Sequence, residues 1–362
     1  MVKIKDVSLE EFMYLSRNKK VIAVGAGRKL LPFVKRHDLA DRIVAIVDGD
    51  VSKQGKRIKL GTKSIDIVGY DALNELDHMS NAIILISALL PIVSILNQLD
   101  GISGIDDVEC FIAPLMEDKF IDDEVEYTIG NQVIDKTIHY FWFGKADIPK
   151  HLQKYIASWS RVMPDYSIIR WDESNYDVQK NKYMKEAYEC GKFGFVPDYA
   201  RLDVLYHYGG IYLDTDVEVI KPFDDLLCDD AFMGFYDSNG VALGAGFGCV
   251  KGNDLIGQFM DAYNNLSFFD DDGHMNLTTC IEYQYPILKS YGFKMNNTQQ
   301  CLNKVMVYPV QVFNPEGKTG LHTHYTKHTH SIHRSEISYE NAKTRSDYFA
   351  IRNYLPKRMA NS

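Results

Sequence analysis

No apolar run in the 362-residue sequence is long and unbroken enough to cross a bilayer. The longest, Ala82 to Leu96, is interrupted by Ser87, Pro91 and Ser94. Six cysteines (Cys110, Cys190, Cys228, Cys249, Cys280 and Cys301) form no CxxC pair, which leaves out the usual thiolate zinc and dithiol patterns. Reduced, partly buried thiols are expected. Basic charge is not in excess: 40 Lys and Arg stand against 49 Asp and Glu, a net charge of -9. That balance argues against a nucleic-acid partner, which would call for a basic face. The opening MVKIKDVSLEEFMYL carries early acids and no apolar core, so no secretory signal is expected and the chain reads as cytoplasmic. Internal repeats and low-complexity tracts are also missing.

What is there suits a large globular protein. Hydrophobic residues make up 46% of the chain, enough for one large or two ordinary cores. Lys20–Val24, Ile43–Val47 and Ala82–Ile86 are short apolar runs, with a helical stretch from Leu30 to about Leu39. Strands alternating with helices predict a Rossmann-like parallel sheet over residues 1–118. The acidic segment 119–135 reads as a linker. A second α/β unit starts at Lys136-Thr137-Ile138-His139-Tyr140-Phe141-Trp142 and runs through residues 136–339. The tail, 340–362, sets Lys343, Arg345, Arg352, Lys357 and Arg358 among aromatic and apolar residues. Such a tail suits peripheral contact with an anionic membrane face.

The stretch from Phe195 to Glu218, FVPDYARLDVLYHYGGIYLDTDVE, carries the chemistry. Pro197 can open a helix. Tyr199, Leu202, Leu205 and Tyr206 then recur at helical spacing. Asp198 and Arg201 are three apart and share a helical face. Gly209-Gly210 stops the helix, and Ile211-Tyr212-Leu213 begins a strand. Strand alternation is expected to turn Asp214 and Asp216 to one side, with Thr215 opposite. Two carboxylates that close call for a hard cation between them, Mn²⁺ or Mg²⁺, bridging to diphosphate oxygens.

This segment resembles the DxD sugar transferases of glycosyltransferase family 32, related in architecture to large clostridial glucosylating toxins. Four blocks carry the likeness: Ile138 to Gly144; Ser158-Trp159 through Pro164-Asp165-Tyr166 to Trp171; Asp198-Tyr199-Ala200-Arg201 leading to Asp214-Thr215-Asp216; and Ser331-Ile332-His333 with Ser338-Tyr339. The resemblance implies an α/β fold of GT-A type over 136–339 and a retaining transfer of a hexose from a nucleotide sugar, UDP-sugar favoured over GDP-mannose. The acceptor it implies is a saccharide or a lipid-linked oligosaccharide of surface polysaccharide synthesis. Trp142 would stack on the donor base. Asp198 and Arg201 would bind donor hydroxyls or phosphate. Asp216 would ligate the metal directly, Asp214 directly or through ribose or water. His333 would add a metal or diphosphate contact, with His330 as its rival. Tyr339 stands where the family has Trp, which weakens the closing-loop contact with the donor. Gly244-Ala245-Gly246-Phe247-Gly248 falls where the family places an acceptor-side loop.

Two other readings attach to other features. Gly25-Ala26-Gly27 after a strand, with Asp48 closing the next, looks like a dinucleotide fingerprint that lacks its third glycine. It would support an NAD-dependent oxidoreductase or epimerase. A nucleotide-sugar-binding module without turnover is the other.

Overall fold

The computed structural model describes residues 1–75, 81–119, 124–237, 240–317, 319–334 and 342–360. The chain forms two compact units. One comprises Met1–Phe120, Thr319–His322 and Glu340–Ser362; the other comprises Ile121–Lys318 and Thr323–Tyr339.

The first unit is a seven-stranded sheet. Its strands are β1 (Lys3–Ile4), β2 (Lys20–Val24), β3 (Ile43–Val47), β4 (Arg57–Leu60), β5 (Lys63–Val68), β6 (Ala82–Ile86) and β7 (Glu109–Ile112). Their order is β1-β7-β6-β2-β3-β5-β4, parallel except for the β4–β5 edge pair. Its helices include α1 (Leu9–Leu15), α2 (Leu30–Arg36), α3 (Ile92–Leu99) and α4 (Ala113–Asp118). The central strands are buried on both faces, which is why they read as continuous apolar runs. Ile22, Val24, Ile84 and Ile86 join one core with α3, while Val21, Ala23, Ile83 and Leu85 join another with Phe12, Phe33 and Val34.

At the fingerprint, Asp48 is already engaged. Its Oδ2 accepts from Ala26 N at 2.7 Å and Lys53 Nζ at 3.0 Å, and its Oδ1 from Asp50 N at 2.9 Å. The acid that a cofactor ribose would need ties two strand-end loops together. The C-terminal stretch forms a helix, Ala342–Ala360. Its Ile351 and Leu355 are buried in the first unit's core, and Arg358 pairs with Asp100 at 2.7 Å. Two apolar side chains of the tail, Ile351 and Leu355, are thus packed inside that core.

The second unit holds a mixed sheet in the order β15-β16-β12-β14-β10-β8-β9. The strands are β8 (Thr137–Phe141), β9 (Ser167–Trp171), β10 (Gly210–Tyr212), β12 (Ala231–Asp237), β14 (Phe247–Cys249), β15 (Gln300–Leu302) and β16 (Val305–Tyr308), with β13 (Gly240–Val241) beside β12. A separate ribbon pairs β11 (Val217–Val219) with β17 (Ser331–His333), antiparallel. Helices α5 (Lys150–Val162), α6 (Lys182–Glu189), α7 (Val196–Tyr208), α8 (Asp254–Asp261) and α9 (Cys280–Ser290) complete it. β8, β9 and β10 run parallel, so Trp142 and Asp214 each follow the C-terminal end of neighbouring strands. Ligands of α/β sheets gather at that edge.

Candidate active site

Helix α7 is buried almost all round, from Val196 to Leu205. A helix so enclosed needs partners for its charges. Asp198 and Arg201 supply each other: Arg201 Nη2 donates to Asp198 Oδ1 at 2.5 Å, and its Nε donates to Pro197 O at 2.8 Å. Both side chains are buried, so this is no surface pair. Burial pushes the Asp198 carboxyl up to about 6, against the pull of Arg201. Gly209, at φ 73°, stops the helix, and a Cβ there would stand 2.9 Å from Lys251 N.

The structure corrects the expected strand geometry of Asp214-Thr215-Asp216. β10 ends at Tyr212, and the triplet lies in the link to β11, closed by Val217 N donating to Asp214 O at 3.1 Å. A tight turn, not strand alternation, brings the two carboxylates together. Asp214 is held on three sides. Its N–H donates to Gly244 O at 3.0 Å, Tyr212 OH donates to its Oδ1 at 2.5 Å, and Arg201 Nη1 lies 3.9 Å from its Oδ2. The Arg201 guanidinium also sits 5.0 Å from the centre of the Tyr212 ring.

His333 reaches this corner through the ribbon, where it pairs with Val217 one residue past the triplet. Its Nε2 lies 3.3 Å from Asp216 Oδ1 and 3.8 Å from Asp214 Oδ2. Burial works against the imidazolium, but the two aspartates outweigh it and raise the pKa above the ordinary histidine value. His330 is elsewhere: its Nδ1 meets Pro222 O at 2.7 Å and its Nε2 meets Tyr127 OH at 3.1 Å. Of the two histidines, His333 is the one that lies beside Asp214 and Asp216.

One ligand atom each from Asp214, Asp216 and His333 fall within 4.8 Å of one another. Two carboxylates and one imidazole make a candidate site for a divalent cation, and the turn leaves the donors convergent.

Trp142 is half-buried, with its Nε1 donating to Ala146 O at 2.6 Å. Tyr339 lies outside the described residues. Ser158 and Trp159, read as part of one motif block, grip β11 directly. Val219 N donates to Ser158 Oγ at 2.9 Å, and Trp159 Nε1 donates to Val217 O at 2.8 Å. Residues missed by sequence reasoning include Tyr236, whose ring meets His333 edge-on at 5.6 Å, and Cys280, whose thiol is pushed up to about 12 by burial and by Asp198 beside it. No local pattern marks either one. Tyr212 had a signal, as the aromatic two residues before the first acid. The loop at Gly244 makes room for Asp214: a Cβ there would stand 1.8 Å from Asp214 Oδ2.

Residues 149–233 match the family model described as "Glycosyltransferase sugar-binding region containing DXD motif". A mannosyl phosphorylinositol ceramide synthase of Saccharomyces cerevisiae is 30% identical over 45% of this chain and 42% of its own length. The subversion of eukaryotic traffic protein A of Legionella pneumophila is 28% identical over 36% of this chain and 25% of its own. An inositol phosphoceramide mannosyltransferase of Schizosaccharomyces pombe is 32% identical over 28% of this chain and 33% of its own. The chain thus spans less than half the length of these relatives. The family model matched over residues 149–233 is of the same DxD sugar-transferase type that the sequence resembles.

Proposed function

We propose that the chain is a divalent-metal-dependent, retaining glycosyltransferase that moves a hexose from a nucleotide sugar to an acceptor hydroxyl. The observation that carries this reading is the convergence of Asp214, Asp216 and His333 beside the buried Asp198–Arg201 pair. Asp216 and His333 would hold Mn²⁺ or Mg²⁺; Asp214, with Oδ1 already bonded by Tyr212, would contribute Oδ2. A cation bound there supplies charge neutralisation for a departing diphosphate. Arg201 adds a buried, fixed positive charge aimed at the same corner. Asp198 would accept from sugar hydroxyls, and Trp142, at the neighbouring strand end, would stack on the base. Retention then follows from attack on the face that the diphosphate leaves, with no protein nucleophile.

A UDP-sugar is the donor of this reading. The names of the yeast relatives favour a second donor, GDP-mannose, and a lipid-linked acceptor. The setting we propose is cytoplasmic, in surface polysaccharide synthesis at the inner membrane face. Thermal-shift titration with UDP-glucose, UDP-galactose and GDP-mannose, with and without Mn²⁺, tests the reading, because a true donor stabilises by mass action. One of them should raise the melting temperature only with Mn²⁺, and Asp216→Asn should lose that shift and donor turnover together. A donor shift without turnover under any acceptor would instead mark a binding module. NAD-dependent shifts would favour the oxidoreductase.

A further inference from the structure

The ribbon that delivers His333 is short: β11 and β17 pair through three residues each. Three pairs make a two-stranded ribbon that is marginally stable by itself. Something must set their register where the ribbon meets Asp216. Arg334, directly after His333, is in position to do so. Its backbone N–H donates to Asp216 O at 3.0 Å, which continues the ladder by one step. Its side chain crosses diagonally to Glu218, with Nε at 3.2 Å and Nη2 at 2.5 Å from the same oxygen, Oε2. Its Nη1 donates to Glu316 Oε1 at 2.7 Å, an oxygen that also accepts from Tyr325 OH at 2.6 Å. One guanidinium thus joins both strands of the ribbon to a third segment. The carboxylates it grips are two residues after Asp216 and far along the chain, respectively.

We propose that Arg334 is a positioning residue for the cation site. It acts through Glu218 and Glu316 to hold Asp216 and His333 face to face. Its planar fork suits this role better than an ammonium, which cannot direct three donors to two carboxylates at fixed angles. It touches none of the three ligand side chains in these bonds, so its effect travels through the backbone of the ribbon. The proposal rests on the reading of Asp214, Asp216 and His333 as a metal site.

Calorimetric titration of the full chain with Mn²⁺ alone tests it, using wild type, Arg334→Gln, Arg334→Lys and Glu218→Gln. The two glutamine variants should bind Mn²⁺ roughly 10- to 100-fold more weakly than wild type. Arg334→Lys, which keeps one ion pair, should recover part of the loss. In donor turnover the Mn²⁺ concentration needed for half-activity should rise, while kcat at saturating Mn²⁺ stays near wild type. A purely structural role would instead lower the melting temperature and leave Mn²⁺ affinity alone, and that result overturns the proposal. If Arg334→Gln fails to fold, Glu218→Gln, which keeps the arginine and its backbone bond, decides the matter. Wild type that binds no Mn²⁺ would overturn the metal-site reading and this proposal together; wild-type binding with unchanged variants overturns this proposal alone.

Discussion

A methyl group on Gly244 would overlap the Asp214 carboxylate outright, at 1.8 Å from Oδ2 and 3.4 Å from Arg201 Nη1. No rotamer of Ala relieves this, since the added atom is Cβ itself. Either the loop or the carboxylate must move. Gly244→Ala should therefore cost about 1–3 kcal/mol of stability by overpacking, seen in thermal unfolding. It should also weaken Mn²⁺ binding more than tenfold, about 1.4 kcal/mol per factor of ten. Unchanged Mn²⁺ affinity would show that Asp214 is no ligand. At this scale the sequence revealed residues whose chemistry announces itself. Asp198, Arg201, Asp214 and Asp216 were marked by type and spacing, and His333 by the family resemblance alone; the fold brings all five to one corner. What stayed hidden was what each one touches. Gly244 was read as part of an acceptor-side loop, but what its lack of a side chain makes room for is a carboxylate thirty residues earlier in sequence. Tyr236 and Cys280 meet the site only through tertiary packing, and no spacing rule reaches that far.

Among the elements, β8 carries an internal constraint at His139. Trp171 Nε1 donates to His139 Nδ1 at 3.1 Å, so the ring proton sits on Nε2, which faces Gly209 O at 3.1 Å. The neutral ring satisfies both partners; a second proton would set Nδ1–H against the Trp171 N–H. Burial lowers this pKa to about 4. In the unfolded chain the value is about 6.5. Between those values the unfolded state binds the extra proton and the folded state does not. Stability is therefore fully present above pH 6.5 and is lost as pH falls toward 4, by up to about 1.4 kcal/mol per pH unit for this one group. His330, lowered to about 4 mainly by burial, adds the same sign in the same window. Denaturant unfolding from pH 7 to 4 should show this slope, and His139→Gln should flatten it by one proton; an unchanged slope in that variant would reject the assignment. Elements were also where sequence reading did best and worst. β2, β3 and β6 were read at their observed limits, because fully buried parallel strands leave unbroken apolar runs. The β4–β5 hairpin has no such run, since its residues alternate exposed and half-buried. The Asp214 turn was mistaken for strand because Ile211-Tyr212-Leu213 gives no sign of where pairing stops.

At the scale of the molecule, the C-terminal helix is part of the first unit and not an appendage. Leu355 is fully buried and Ile351 nearly so, within the core that also contains Ile22 and Ile84. Leu355→Ala should lower that unit's stability by about 2–5 kcal/mol. Calorimetry should show a lower transition temperature for the first unit, while donor-induced stabilisation survives. No shift would mean that the helix is dispensable. The basic and aromatic composition of residues 340–362 suggested a surface segment. Composition alone cannot separate a helix whose apolar residues meet a bilayer from one whose apolar residues meet its own core. No helix among the described residues is long and apolar enough to cross a membrane.

The β11–β17 ribbon has a consequence for the order in which the protein assembles. Its strands are separated by more than a hundred residues of intervening sheet and helix, and loop closure over such a span comes late. The helix with Asp198 and Arg201 and the turn with Asp214 and Asp216 are neighbours in sequence and can form early. His333 joins them only after that intervening chain is in place. On the proposed reading, capture of a cation would mark the completed folding of the second unit, and a nascent chain stalled short of β17 would carry the acidic half of the site without its histidine.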